Sequence, residues 1–377
     1  MNQLNQKKHE MKNNLATVQI IILMFMFSVS VNAQVFEKHK NIIKSFASNK
    51  DCNIQVSNKY GDIHVIPWDK DSTSFNIDIK VTDKKETDAE KILNSIDVDF
   101  TNTIYYLIAK TVFHDSKNQV LADLSDMANN LFNISKNVEI KYIINVPQNS
   151  ALKIDNKFGN IYTTDLTGNI DFTLSNGDIK ANDLTGSETK IELSFGNAVV
   201  NSIKNGKLNI GYSDFDLKNA GKLLVEGRSA KMNINKVESI DLNSKRDKYY
   251  IDTVSAVTGT TDFSYLNIYY LKESLNLVTL YGDINLTEID KAFKYLNLNS
   301  EYTDLIFYFQ KTSAVNFALS CKKTELSFTP LFTGFQKQVI NEKTGEYKAT
   351  GAIGDSTEVK APVQINAVSG SISVNTK

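Results

Sequence analysis

Apolar and polar residues alternate with period two over most of the chain, in short runs broken by turn residues. From residue 159 the segments read GNIYTTDLT, GNIDFTLSN, GDIKANDLT, GSETKIELSF and GNAVVNSIKN. Each opens on glycine, and the glycines fall at 159, 168, 177 and 186, nine residues apart, then at 196 and 206. Two segments make a unit of about 18, since TDLTG at 164–168 returns as NDLTG at 182–186. The longer period outlives the glycines. With Gly159 as reference, the slot recurs at Gly177, Gly196, Ser213, Ala230, Asp247, Ser264, Gly282 and Thr303, spaced 18, 19, 17, 17, 17, 17, 18 and 21 residues. Gly370-Ser371-Ile372 restarts the same frame near the end.

Strands this short cannot fold alone. Wound into coils, each pairs with the coil above and below at about 4.8 Å, and the inward residues stack into one continuous core. The pattern therefore predicts an all-β, single-stranded β-solenoid, right-handed, with coils of 17–19 residues and a small α+β N-terminal element. Inward positions include Ile161, Leu166, Phe172, Ile191, Leu208, Val225, Leu242, Leu277 and Leu298. Gly is expected at each corner because a left-handed or tight turn favours it. Residues 138–377 form the repeat domain, with a long hairpin or loop at 336–357. Residues 34–137 hold a first coil at 50–66, a strand at 74–81, a helix at Thr87–Ile96, a strand pair at 97–113 and an insert at 119–136. Open strand edges invite pairing, so both ends need caps; 85–137 and 336–357 are the candidates.

Residues 1–33 change the picture of where the chain works. VQIIILMFMFSV at 18–29 follows Lys7, Lys8 and Lys12 and ends at Val31-Asn32-Ala33, the layout of a secretory signal peptide, with Met11 as a plausible true start. The apolar run is too short to span a bilayer, and no later stretch is apolar enough to serve as an integral membrane segment. The expected location is exported: periplasm, cell surface or extracellular. Removing 1–33 takes away three Lys and one Glu, leaving 39 basic and 42 acidic residues and a net charge near −3. That balance offers no footprint for nucleic acid. Cys52 and Cys321 both fall in alternating apolar contexts and read as small buried hydrophobes, with a mutual disulfide as the alternative.

Catalytic motifs do not assemble. His39, His64 and His114 lie in unrelated contexts, and HExxH, CxxC, GxSxG and P-loop patterns are absent. Ser187–Lys190 reads SETK and Lys343-Thr344-Gly345 reads KTG, two marks of serine β-lactamases, but the first lies in a strand repeat where positions i and i+3 face opposite sides. Asp165 and Asp183 read as stacked turn residues; a cation between them is the alternative, though the tandem glycines of calcium-binding coils are missing. No metal or cofactor is expected. The residue before the glycine slot is aromatic at Tyr60, Phe158, Phe195, Tyr212, Phe263, Tyr281 and Tyr302, interrupted by Asn176, Ser229 and Arg246. These rings form a column up one edge. Exposed, they can stack on sugars or grip a partner; alternatively they stack on one another and close each corner.

Several stretches together carry a family resemblance: NKYGDIHVIPWDKD, KETDAEKILNSIDVDF, VEIKYIINVPQNSALKIDNKFGNI and the ladder of G-D/N-I turns. Across about residues 45–375 the chain resembles the exported bacterial β-strand-repeat proteins of unknown function grouped as putative adhesins, which are similar in build to autotransporter-type head-domain adhesins. The resemblance implies a β-helix-like stack and brings no catalytic residues. The expected function is a non-catalytic cell-envelope β-solenoid that binds, adheres or scaffolds, with glycans or envelope and surface proteins as partners. The alternatives are a carbohydrate-active β-helix enzyme (a polysaccharide lyase or hydrolase) and an envelope-stress signalling partner.

Overall fold

The computed structural model describes residues 35–48, 52–114, 137–354 and 360–377. The signal peptide expected at 1–33 and the insert expected at 119–136 lie outside those residues. All described strands join one long sheet, mostly parallel, around one apolar core. Among the described residues the fold is all-β apart from one helix. Among the described residues no helix is long and apolar enough to cross a membrane.

The N-terminal stretch contributes β1 (Phe36–Ala47), β2 (Asn53–Lys59), β3 (Ile63–Trp68), β4 (Ser72–Asp83), helix α1 (Glu86–Ser95), β5 (Ile96–Asn102), β6 (Tyr106–Phe113) and β7 (Val138–Pro147). The regular coils follow in β8 (Ala151–Lys157), β9 (Ile161–Thr163), β10 (Ile170–Ser175), β11 (Ile179–Leu184), β12 (Thr189–Ser194) and β13 (Asn197–Gly211). They continue in β14 (Asp214–Arg228), β15 (Lys231–Lys245), β16 (Lys248–Asp262), β17 (Tyr265–Ile289) and β18 (Tyr295–Phe309). Last come β19 (Val315–Lys322), β20 (Glu325–Phe328), β21 (Thr333–Asn341), β22 (Glu346–Ile353), β23 (Ala361–Val368) and β24 (Ser371–Thr376).

Register follows the sequence period. On one face Ile154 pairs with Phe172, Phe172 with Ile191, Ile191 with Leu208, Leu208 with Val225 and Val225 with Leu242, all in parallel. On another face Ile179 pairs with Ala198, Ala198 with Phe215, Phe215 with Met232 and Met232 with Tyr249. Each partner lies one coil onward, so every inward residue lands on an inward residue. The expected inward positions, Ile161 and Phe172 through Leu298, are buried.

The ends do not stack in chain order. β2 and β3 lie between the β6–β7 coil and the β8–β9 coil: Ile54 pairs with both Leu107 and Leu152, and Ile63 with both Tyr142 and Ile161. At the other end Ile365 of β23 pairs with Leu298 below and Leu319 above, so the final coil is inserted beneath the one that precedes it in sequence. A buried network ties the first insertion: the Thr111 hydroxyl bonds Asn58 Oδ1 (2.9 Å) and the Tyr142 hydroxyl (2.7 Å), while Asn58 Nδ2 donates to the Ile140 carbonyl (3.0 Å). Antiparallel strands close both ends. β5 pairs with β6, β4 with β7 and β1 with β4 at the start, with α1 packed against β1 and β4; β22 on β19, then β21 on β22, form the hairpin at the finish.

The corner geometry corrects one expectation. At the corners from Gly61 to Gly282 the left-handed residue is not the glycine but its predecessor: φ is 66° at Tyr60, 57° at Phe158, 59° at Phe195 and 52° at Tyr281, while at the last corner both Ser369 (61°) and Gly370 (78°) are left-handed. The slot glycines answer a different constraint. A Cβ at Gly159 would stand 2.0 Å from the Gly61 carbonyl oxygen, and one at Gly196 would stand 1.8 Å from that of Gly177. Where the slot carries a hydroxyl, that group ties the corner, as Ser213 Oγ donates to the Gly211 carbonyl (2.8 Å), Ser264 Oγ to Asp262 (2.8 Å) and Thr303 Oγ1 to Glu301 (2.9 Å). One position onward, side-chain oxygens cap the next coil. Asp62 Oδ1 accepts the Asn160 N–H (2.8 Å), Asn160 Oδ1 the Asp178 N–H (2.8 Å) and Asp178 Oδ1 the Asn197 N–H (2.9 Å). This ladder explains why the slot is followed by Asp or Asn.

Candidate functional site

In stacking order the left-handed corner residues are Tyr60, Phe158, Asn176, Phe195, Tyr212, Ser229, Arg246, Phe263, Tyr281, Tyr302, Ser369 and Lys323. These twelve form one column, and eleven steps of about 4.8 Å give it a length of about 53 Å. Backbone bonds fix each rung to the next coil: Phe158 N–H donates to the Ser175 carbonyl (3.0 Å), Tyr212 N–H to Arg228 (2.9 Å) and Phe263 N–H to Leu280 (2.8 Å). A left-handed conformation strains any side chain other than Gly, and Asn less than most. None of these twelve rungs is glycine, so other contacts must offset the strain.

All seven expected aromatics fall in this column, and each has a ring neighbour. Tyr60 and Phe158 stack at 5.6 Å, and Phe195 and Tyr212 at 5.2 Å with planes 4° apart. Phe263, Tyr281 and Tyr302 form a triple stack at 4.8 Å per step. Stacking therefore occurs in runs of two, two and three, broken by Asn176 and by Ser229 with Arg246. Six of the rings also face solvent, from 41% exposed at Tyr281 to 59% at Phe195. Tyr60 differs: at 4% exposure it is buried, with Phe113 edge-on at 6.2 Å.

Beside the triple stack lies a groove of about 680 Å³, lined in part by Ile340, Glu346, Tyr347 and Lys348 of the β21–β22 hairpin. Its lining includes Asn299, Glu301, Lys322, Ile340, Lys348 and Asn366. Glu301, Val368 and Lys322, all on its rim, immediately precede the rungs Tyr302, Ser369 and Lys323. Asn366 Nδ2 donates to Asn299 Oδ1 (2.8 Å), and Lys322 Nζ meets Glu346 Oε1 at 3.0 Å. In its buried wall, burial pushes the Cys321 thiol and the Tyr347 hydroxyl up from their ordinary values. A second groove of about 570 Å³ crosses Asn205, Lys222, Ser239 and Ala256, but no aromatic lines it. Sequence reading found the column; it missed the groove, whose lining comes from stretches more than a hundred residues apart and leaves no local mark.

The remaining candidates resolve into structural roles. Asp165 and Asp183 stack as expected, the Asp183 N–H donating to Asp165 Oδ1 (3.3 Å). Hydrogen bonds from Ser202 Oγ (2.7 Å) and Asn201 Nδ2 (2.5 Å) hold the Asp183 carboxyl below its ordinary value. Among the described residues no three metal-ligating side chains converge. Ser187 bonds Asn169 (2.7 Å) while Lys190 pairs with Glu188 (3.3 Å), so SETK forms no Ser–Lys dyad, and Lys343-Thr344-Gly345 is the turn of the end hairpin. Cys52 and Cys321 are both buried and free. His64 points outward and stacks on Tyr162 at 4.8 Å. One buried group stands out. Asp247, in the corner slot, accepts from the Ala230 N–H (2.8 Å), Ser244 Oγ (2.7 Å), Lys245 N–H (3.1 Å) and Tyr249 hydroxyl (3.3 Å), yet burial still pushes its carboxyl up.

The fold and its edge define a class: an all-β protein of stacked parallel coils with an aromatic corner column. No protein-family model and no curated protein matches the chain. Among solved structures it is similar to "a putative cell adhesion protein" from Clostridium sporogenes, with 12% identity over 90% of this chain and 100% of that one, TM-score 0.18. It is likewise similar to "putative adhesins" from Parabacteroides distasonis (11% identity, 71% of this chain, 97% of that one, TM-score 0.35) and Parabacteroides merdae (15%, 71%, 93%, TM-score 0.31). At these identities and TM-scores the likenesses carry no weight for function.

Proposed function

We propose that the chain is a non-catalytic binding protein of the cell envelope, exported by the signal peptide read at 1–33 and using its aromatic corner column as the contact surface. The winding is right-handed in this reading, the hand that nearly all parallel β connections take. One observation carries the proposal: six aromatic rings stand 41–59% exposed along one edge of the stack, at backbone positions where an aromatic is strained. Stacking accounts for part of each ring's surface, and the outward remainder is a repeating, rigid, apolar strip of the kind that grips glycans or protein surfaces. Binding of wild type and of Tyr212→Ala and Tyr281→Ala to glycan arrays and to whole cells tests it. Loss of binding with retained fold supports the proposal. Unchanged binding alongside lost stability would leave the column a purely structural role.

A further inference from the structure

The triple stack ends at Tyr302, and the rung above it is Ser369, because Glu301 pairs with Val368. A serine has no ring to stack, so Tyr302 carries a stacked aromatic on its lower side, Tyr281, and none on its upper side. The next rung, Lys323, lies two coil steps of about 4.8 Å away. The groove of about 680 Å³ runs alongside these rungs: its lining includes Glu301, Val368 and Lys322, the residues directly before Tyr302, Ser369 and Lys323, although the Tyr302 ring itself is not in the lining. Another stack end, Tyr212 beneath Ser229, also lacks a ring above it but lies three rungs below Phe263, the lowest rung beside that groove.

We infer that Tyr302 and this groove form a saccharide subsite: one neutral pyranose stacks its apolar C–H face on Tyr302 over Ser369, and the following sugars lie along the groove. The inference rests on the proposed binding role of the column. A pyranose needs a flat apolar platform and hydroxyl partners at its edge, and both are present. Asn299 and Asn366 satisfy only one donor and one acceptor on each other, which leaves amide capacity for hydroxyls. Charges in the groove nearly cancel, with Asp262, Glu301 and Glu346 against Lys322 and Lys348, so the site selects neither an anionic nor a cationic chain. Within the stack itself rings 4.8 Å apart leave no space for a sugar between them, which confines the platform to the stack's end.

Calorimetric titration of the full chain with neutral oligosaccharides of glucose, galactose and mannose tests the subsite. At least one of these is expected to bind wild type. Tyr302→Ala should weaken that binding roughly tenfold or more, the scale of one lost stacking contact. Ser369→Tyr should abolish it by filling the vacant rung, while keeping or raising thermal stability, since other aromatics already occupy equivalent rungs. Tyr212→Ala should leave it unchanged. Absence of saccharide binding to wild type overturns the inference, yet cell binding that still depends on the column would keep the proposed function. Binding lost in Tyr212→Ala and retained in Ser369→Tyr also overturns it, placing the contact elsewhere on the column.

Discussion

If stacking offsets the left-handed strain, the middle ring of the triple stack must matter more than a ring with one neighbour. Tyr281→Asn is the clean perturbation, because Asn already occupies an equivalent rung at 176 and tolerates positive φ. The change removes two stacked contacts, at 4.8 Å to Phe263 and 4.8 Å to Tyr302, each worth about 0.5–1.5 kcal/mol. More than half of the Tyr281 side chain is covered, which adds about 2 kcal/mol of apolar burial. Relief of backbone strain returns about 1 kcal/mol. The net cost is about 2–4 kcal/mol, roughly twice that of Tyr212→Asn, whose ring has one partner.

Stacked coils need not unfold as one unit, so the midpoint of denaturation should be read together with a local probe. Hydrogen exchange at the Phe263 amide, bonded to the Leu280 carbonyl at 2.8 Å, reports on that corner directly. A double-mutant cycle supplies the sharpest comparison. Phe263→Asn with Tyr281→Asn should show coupling of about 0.5–1.5 kcal/mol, while Tyr212→Asn with Tyr281→Asn should be additive within about 0.5 kcal/mol. Zero coupling in the adjacent pair would refute the claim that ring stacking holds the corner.

Three further outcomes follow from the same geometry. Gly196→Ala forces a Cβ to 1.8 Å from a backbone oxygen and should cost about 1–3 kcal/mol by denaturant midpoint, whereas Gly211→Ala, whose Cβ would meet nothing nearer than Ser194 Oγ at 3.6 Å, should be neutral or slightly stabilising. Asp247 holds its proton more tightly folded than unfolded, so its contribution to stability should fall as pH rises from about 3.9 through its raised value; midpoints measured against pH should show that step in wild type and not in Asp247→Asn. Deleting 361–377 removes a coil from between two others, so exchange protection should vanish across 315–353 while 151–262 stays protected, and persistence of protection in 315–353 would contradict the inserted order.

The period was legible because burial on one face writes itself into every second residue, and the seven aromatic positions were legible with it. Other features were not. β1 escaped notice because its half-buried positions carry Lys38 and Lys40 beside Phe36 and Ile42, which blurs the alternation. Placing the left-handed turn on glycine followed intrinsic preference, but at Gly61, Gly159, Gly177 and Gly196 the constraint is a carbonyl in the neighbouring coil, visible only once coils are stacked. Ring exposure was equally hidden, since Tyr60 and Phe158 share a motif and differ by 4% against 47%.

The order of the last coils is the most consequential of these hidden facts, because parallel pairing gives APVQINAV no mark of which neighbours it joins. Stacked in chain order, the rung above Tyr302 would be Lys323, and its long side chain could lie across the ring. Insertion of β23 and β24 puts Ser369 there instead, which has no ring to stack, and brings Asn366 opposite Asn299 in the same groove. It also leaves β19 and β20 without a parallel partner until the C-terminal residues arrive, so the groove cannot exist before the chain is complete. Topology at the capped end, more than any residue motif, thus sets a stack end, Tyr302 beneath Ser369, next to a concave polar surface.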